Sequence, residues 1–137
     1  MRIRLDHIGI AVNDLDSGSK FWEILGLNNS GEEMNVEQGV NIRFFDTDAG
    51  ENATRIELLS PTGEDTPIGK FLVNRGPGVQ QIAFQVDDLQ GLLNRLKSEG
   101  IRLINETPTT GAHGSKIAFV HPSSTGGVLV ELLEYTE

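Results

Sequence analysis

Apolar and polar positions along this chain form one pattern that is stated twice. From Arg2 to Val12, Ile3, Leu5, His7 and Gly9 alternate with Arg4, Asp6, Ile8 and Ile10, and Ala11-Val12 close the run, the period-two signature of a strand covered on both faces. Asn13-Asp14 supply capping oxygens, Leu15, Phe21, Trp22, Leu25 and Leu27 recur at roughly helical spacing, and Gly26 is placed to end that helix. The stretch Val79 to Gly100 repeats the plan with a strand over Val79 to Val86, a cap at Asp87-Asp88 and a helix over Leu89 to Glu99. Ile8 falls on Ile82, Val12 on Val86, Asp14 on Asp88, Leu15 on Leu89 and Gly26 on Gly100, all at an offset of 74. A fixed offset of this kind marks an internal repeat.

The remaining segments fill out each half. Gly31 to Gln38 is acidic and polar, and Val40 to Phe45 and Thr54 to Leu59 read as strands joined by an exposed, turn-rich loop from Asp46 to Ala53. Ser60-Pro61 stops the second of these, because proline cannot donate to a ladder. The segment 63–78 bridges the halves, with a short helix around Ile68 to Asn74 and a Gly76-Pro77-Gly78 breaker. In the second half, strands are expected over Arg102 to Asn105, Lys116 to Val120 and Val128 to Leu133, with turns from Pro108 to Gly114. The pattern predicts an α+β fold of paired βαβββ modules, about residues 1–61 and 75–137, within a single domain. A small sheet with one open apolar face is not stable alone, so the modules are expected to form one cupped mixed sheet around a cleft, helices outside.

Composition narrows the partners. The 137 residues carry a formal net charge of -9, which argues against an electrostatic grip on nucleic acid or an anionic membrane. There is no cysteine, which removes disulfides and thiolate chemistry. Neither a secretory signal pattern nor an apolar run of spanning length is visible, so a cytoplasmic protein is expected.

The repeat also singles out chemistry. The offset that ties the helices pairs His7 with Gln81, and it carries Arg55 to Leu59 onto Leu129 to Leu133, pairing Glu57 with Glu131. Taken singly, a strand His is more often structural, and either Glu could face solvent as part of an outward strand face. Taken together on modules related by a pseudo-two-fold axis, one imidazole, two carboxylates and an amide oxygen would converge and supply N/O ligands for a divalent metal. A cation is the simplest offset for two buried carboxylates.

These residues resemble the vicinal oxygen chelate superfamily, which includes glyoxalase I, extradiol dioxygenases and antibiotic-resistance proteins. LDHIGIAV from Leu5, VEQGV at Val36 to Val40, IELLSP at Ile56 to Pro61, SPTGEDTPIGKFL at Ser60 to Leu72 and GAHGSKIAFVHPSSTGGVLVELLE at Gly111 to Glu134 look most like the methylmalonyl-CoA epimerases of that superfamily. The resemblance covers nearly the whole chain. It implies paired βαβββ modules, a divalent metal (cobalt, zinc, manganese or nickel) held by His7, Glu57, Gln81 and Glu131, an acyl-CoA substrate and a homodimer. Relatives usually carry a His-His pair where this chain has Gln80-Gln81.

The reaction so implied is epimerisation at C2 of methylmalonyl-CoA, which needs one base on each face of an enolate. The resemblance assigns these bases to Glu37 and Glu131, whereas the bland reading of Glu37 is a solvated loop acid. Ser115 and Lys116 are candidates to meet substrate or the CoA phosphates, against the plain alternative of a solvated strand-end lysine. His113 and His121 have no repeat partner of ligand type and read as loop residues, and Gly126-Gly127 suit a tight turn. Two other readings remain on the same scaffold: a glyoxalase I-like lactoylglutathione lyase or other isomerase, and a non-catalytic module that binds a small molecule.

Overall fold

The computed structural model describes residues 2–48, 50 and 52–136. The chain divides into two compact units, Asp6–Gln80 and the remainder of the described chain. The loop expected from Asp46 to Ala53 includes Ala49 and Glu51, which lie outside the described residues.

In the unit Asp6–Gln80 the strands are β1 (Arg4–Ala11, shared with the other unit at its start), β2 (Asn28–Asn35), β3 (Val40–Asp46) and β4 (Arg55–Pro61), in spatial order β2-β3-β4-β1. Strand β1 runs parallel to β4, and β2-β3-β4 is an antiparallel meander. Helix α1 (Leu15–Leu25) starts where Asp14 accepts from Ser17 N at 2.9 Å and ends at Gly26, whose φ of 108° needs a residue without Cβ. That backbone hydrogen bond from Ser17, with the Ser17 hydroxyl second, holds the Asp14 carboxyl below its usual range. The helix packs Leu15 and Trp22 over Val12, Phe45 and Leu58, and Leu27, just past its end, joins them. Two of the positions expected on its apolar side, Phe21 and Leu25, are 62% and 59% exposed. The sheet takes only the i, i+4, i+7 stripe of Leu15, Ser19 and Trp22, and a second apolar stripe is left facing outward. Arg43 ties this helix to the sheet, donating to Leu15 O, Ser19 Oγ, Asp16 and Glu32.

The acidic stretch after Gly31 belongs to a strand, since β2 pairs along β3 from Asn28↔Asp46 to Asn35↔Val40. As an edge strand with mostly exposed side chains it needs no apolar alternation. Helix α2 (Pro67–Arg75) is capped by Thr66, whose Oγ1 accepts from Gly69 N at 3.0 Å, with Pro67 in the first turn. Gly69 lies so close to the preceding loop that a Cβ there would stand 2.3 Å from Gly63 O, which gives the GEDTPIG run a structural purpose.

The other unit holds β5 (Gly78–Gln85, its first residues in the Asp6–Gln80 unit), α3 (Leu89–Ser98), β6 (Thr109–Thr110), β7 (Lys116–Val120) and β8 (Val130–Glu134), with strand order β5-β8-β7-β6. Asp88 caps α3, and Leu89 and Leu93 bury against Val86, Ala118, Val120 and Leu132. Ala83, Ile117 and Leu133 form a separate cluster, with Phe119 and Tyr135 packed on it. The strand expected at Arg102 to Asn105 reduces to one bridge, Leu103↔Val120, and the paired edge is β6. Side chains intercept the ladder there: Asn105 Oδ1 accepts from Phe119 N at 2.8 Å and Ser124 Oγ from Arg102 N at 2.9 Å.

The two modules share one register. Ile8↔Ile56, Gly9↔Glu57 and Ile10↔Leu58 in β1-β4 correspond, at the offset of 74, to Ile82↔Val130, Ala83↔Glu131 and Phe84↔Leu132 in β5-β8. The fold is α+β with paired βαβββ modules, as the repeat predicts.

One glycine fixes the loop that bears Glu37. Gly39 sits at φ 66°, and a Cβ on it would lie 2.5 Å from Thr66 Cγ2 and 3.1 Å from Thr66 Cβ, while its carbonyl accepts from Thr62 N at 3.0 Å. Gly39→Ala is therefore expected to cost about 1–2 kcal/mol from the left-handed backbone alone, with steric displacement added. Urea unfolding measures it. Adding Thr66→Ser, which keeps the capping oxygen and removes Cγ2, should restore only the steric part; unchanged stability in Gly39→Ala would show that the turn is not held against α2.

Candidate metal and acid-base site

In the unit Asp6–Gln80, the parallel register places Glu57 opposite Gly9, two residues beyond His7, so that the two side chains meet. Both are buried, at 4% exposure for His7 and 2% for Glu57, and His7 Nδ1 lies 3.1 Å from Glu57 Oε2. The face is opposite α1, since Ile56 and Leu58, which flank Glu57, belong to the helix-packed core. A second acid joins them: Asp6 is fully buried and its Oδ2 is 2.7 Å from His7 Nδ1. Arg55 closes the group, with Nη2 donating to Asp6 Oδ2 at 3.1 Å and Glu57 Oε2 at 3.0 Å, and its guanidinium carbon 5.6 Å from the Phe44 ring centroid. Asp6, His7 and Glu57 each offer a ligand atom, all within 4.8 Å of one another.

The matching pair forms in the other unit. Gln81 and Glu131, 8% and 7% exposed, are joined by a hydrogen bond from Gln81 Nε2 to Glu131 Oε1. Glu131 alternates with Leu132, which packs on α3, so this pair also lies on the sheet face opposite its helix. Donation by the Gln81 amide nitrogen makes its Oε1 the atom suited to a cation. The same separation of 50 residues joins His7 to Glu57 in one unit and Gln81 to Glu131 in the other, and the offset of 74 carries one pair onto the other.

The remaining candidates take different places. Glu37 is exposed in the turn between β2 and β3, anchored through Gly39. Ser115 is 4% exposed and its Oγ donates to Ala112 O at 2.7 Å, closing a 3-10 turn over Ala112–Gly114; a Cβ on Gly111 would meet that hydroxyl at 2.9 Å. Lys116 is exposed opposite Glu134 and, with it, Asp88 and Thr109, borders a cavity of about 440 Å³. His121 is a capping residue, its Nδ1 accepting from Ser123 N at 3.0 Å. His113 holds a left-handed φ of 57°.

Asp6 and Arg55 are absent from the sequence-level candidates. Their signal is slight: an acid directly before His7, and a base two positions before Glu57 and hence on its face.

Residues 6–119 match the Glyoxalase/Bleomycin resistance protein/Dioxygenase superfamily. The chain is 40% identical over 131 residues to human mitochondrial methylmalonyl-CoA epimerase, covering 94% of this chain and 72% of that protein. It belongs to the epimerase family of this superfamily. The crystal structure of the Mycobacterium tuberculosis methylmalonyl-CoA epimerase matches it with a TM-score of 0.89 at 43% identity, over 97% of this chain and 88% of that one. A methylmalonyl-CoA epimerase solved with methylmalonyl-CoA and NH4+ matches with a TM-score of 0.92 at 36% identity, over 99% and 96%. Among the described residues no helix is long and apolar enough to cross a membrane.

Each unit by itself offers donor types suited to a divalent cation: buried carboxylates and an imidazole in the unit Asp6–Gln80, a carboxylate and an amide oxygen in the other. Imidazole is a better donor than a neutral amide for borderline metals, so Gln81→His is expected to tighten cobalt and zinc binding while preserving the fold. Titration calorimetry on both proteins measures this. Equal or weaker affinity in the variant would remove position 81 from the ligand set.

Proposed function

We propose that this chain is a methylmalonyl-CoA epimerase, an isomerase that removes and returns the C2 proton of its acyl-CoA substrate, with His7, Glu57, Gln81 and Glu131 as ligands of a divalent metal. The observation that carries the reading is similarity to epimerases over nearly the whole chain, together with buried donor pairs at repeat-related positions. A bound cobalt, zinc, manganese or nickel ion would act as a Lewis acid toward the thioester oxygen, worth several kcal/mol to the developing enolate. The chain's own residues move the protons. One carboxylate, Glu37 or Glu131, takes the C2 proton as the C–H electron pair enters the enolate, and the carboxylic acid on the opposite face returns a proton to C2. Each turnover leaves the first acid protonated and the second ionised, and proton exchange with solvent, or a turnover in the reverse direction, resets the pair. Burial of His7, Glu57, Gln81 and Glu131 keeps bulk water from the donors.

The test is deuterium wash-in at C2 from each pure epimer of methylmalonyl-CoA in deuterium oxide, with and without cobalt or manganese. Metal-dependent exchange with inversion is expected. Metal binding with neither exchange nor inversion would favour the binding-module reading, and activity on the hemithioacetal of glutathione in its place would favour the lyase.

A further inference from the structure

Resting on the metal reading above, we propose that Asp6 is a positioning residue of the metal site: it holds the His7 ring with Nδ1–H turned toward the carboxylates, so that Nε2 is the nitrogen that ligates. Asp6 is 0% exposed, and an ionised carboxylate is not placed so deep without strong partners. The single oxygen Oδ2 receives both His7 Nδ1 at 2.7 Å and Arg55 Nη2 at 3.1 Å. A carboxylate so paired can only accept, and a guanidinium can only donate, so the proton between Asp6 and His7 belongs to the imidazole Nδ1. Glu57 Oε2, at 3.1 Å from the same nitrogen, accepts from the same side. Ligation therefore falls to Nε2, and the adjacent carboxylate raises the basicity of that nitrogen, as outer partners of metal-bound histidines do.

Asp6 is within range to be a ligand itself, but the geometry argues against it. A cation bonded to Oδ2 would stand beside the guanidinium of Arg55, which donates to that oxygen; the same guanidinium reaches Glu57 Oε2 at 3.0 Å, so Glu57 as a ligand would use its Oε1. Arg55 balances one of the two buried carboxylates and fixes both, so the donors are set before a metal arrives.

Two measurements without substrate test this. Long-range proton–nitrogen correlation NMR on the metal-free protein should show His7 as the Nδ1–H tautomer. Calorimetric titration with manganese and with cobalt should show Asp6→Asn weakening binding by about 10–100-fold, with an unchanged circular dichroism spectrum. The same substitution in a His7→Gln background should add little, because Gln has no tautomer to fix. A purely structural Asp6 would weaken both backgrounds equally and overturn the proposal, as would an Nε2–H tautomer in the parent. Should Asp6→Asn not fold, the tautomer in the parent decides. A parent that binds neither cation overturns the metal reading and this proposal with it; a parent that binds metal but fails the tautomer or coupling test overturns this proposal alone.

Discussion

Replacing Arg55 with methionine is expected to cost about 3–5 kcal/mol of stability in metal-free protein, the scale on which removing one partner of a buried ion pair acts. Asp6 and Glu57 have side-chain exposures of 0% and 3%, and Arg55, at 15%, bridges them. Methionine keeps part of the aliphatic stem and deletes the charge that lies over Phe44, leaving two carboxylates facing one another across the His7 imidazole. Lowered pH is one escape, since protonating a carboxyl removes the repulsion. A divalent cation is another, and at about 100 times its dissociation constant it adds about 2.7 kcal/mol to whichever form it binds. Urea unfolding of parent and variant, with and without manganese, measures both effects. The expected pattern is a large loss without metal that is partly recovered with it. A loss below about 1 kcal/mol would mean that Arg55 behaves as a solvated surface pair.

Much of this could be read from the sequence because the repeat fixes register as well as topology. The offset of 74 found by aligning Ile8 with Ile82 reappears as the pairing of Gly9 with Glu57 and of Ala83 with Glu131. Once the central parallel strands are paired that way, the positions of His7, Glu57, Gln81 and Glu131 on one face of their strands follow from period two. The edges were not legible for the opposite reason. Strand β2 carries Asn28-Asn-Ser-Gly-Glu-Glu-Met-Asn35, and a strand with mostly exposed side chains leaves no alternation to detect. Strand β6 is two residues long, while the stretch Arg102 to Asn105 that imitated a strand spends its hydrogen bonds on a bridge and on side chains. Helix α1 misled through surplus: Phe21, Ile24 and Leu25 are as apolar as Trp22, and only the sheet decides which stripe is covered. Asp6 and Arg55 lie 49 residues apart, and their meeting depends on the β1-β4 register, which motif spacing alone does not disclose.

Glu37→Gln is expected to leave the metal bound and to cut inversion by about 10²-fold or more, the usual scale for loss of a general base. The side chain stands in the exposed turn between β2 and β3, apart in sequence and element from both donor pairs, so amidation there should not disturb cation affinity. Glu131→Gln differs: Glu131 is buried and accepts from Gln81, so its loss should weaken metal binding and turnover together. If the two acids serve opposite faces of the enolate, Glu37→Gln separates exchange from inversion. One epimer should still trade its C2 proton with solvent through Glu131, while the proton that Glu37 would deliver to the other face is no longer supplied. Deuterium wash-in followed by chiral analysis of each pure epimer reads both quantities from one sample. Full inversion at the parent rate would take Glu37 out of the mechanism, and loss of exchange from both epimers would make it the sole base.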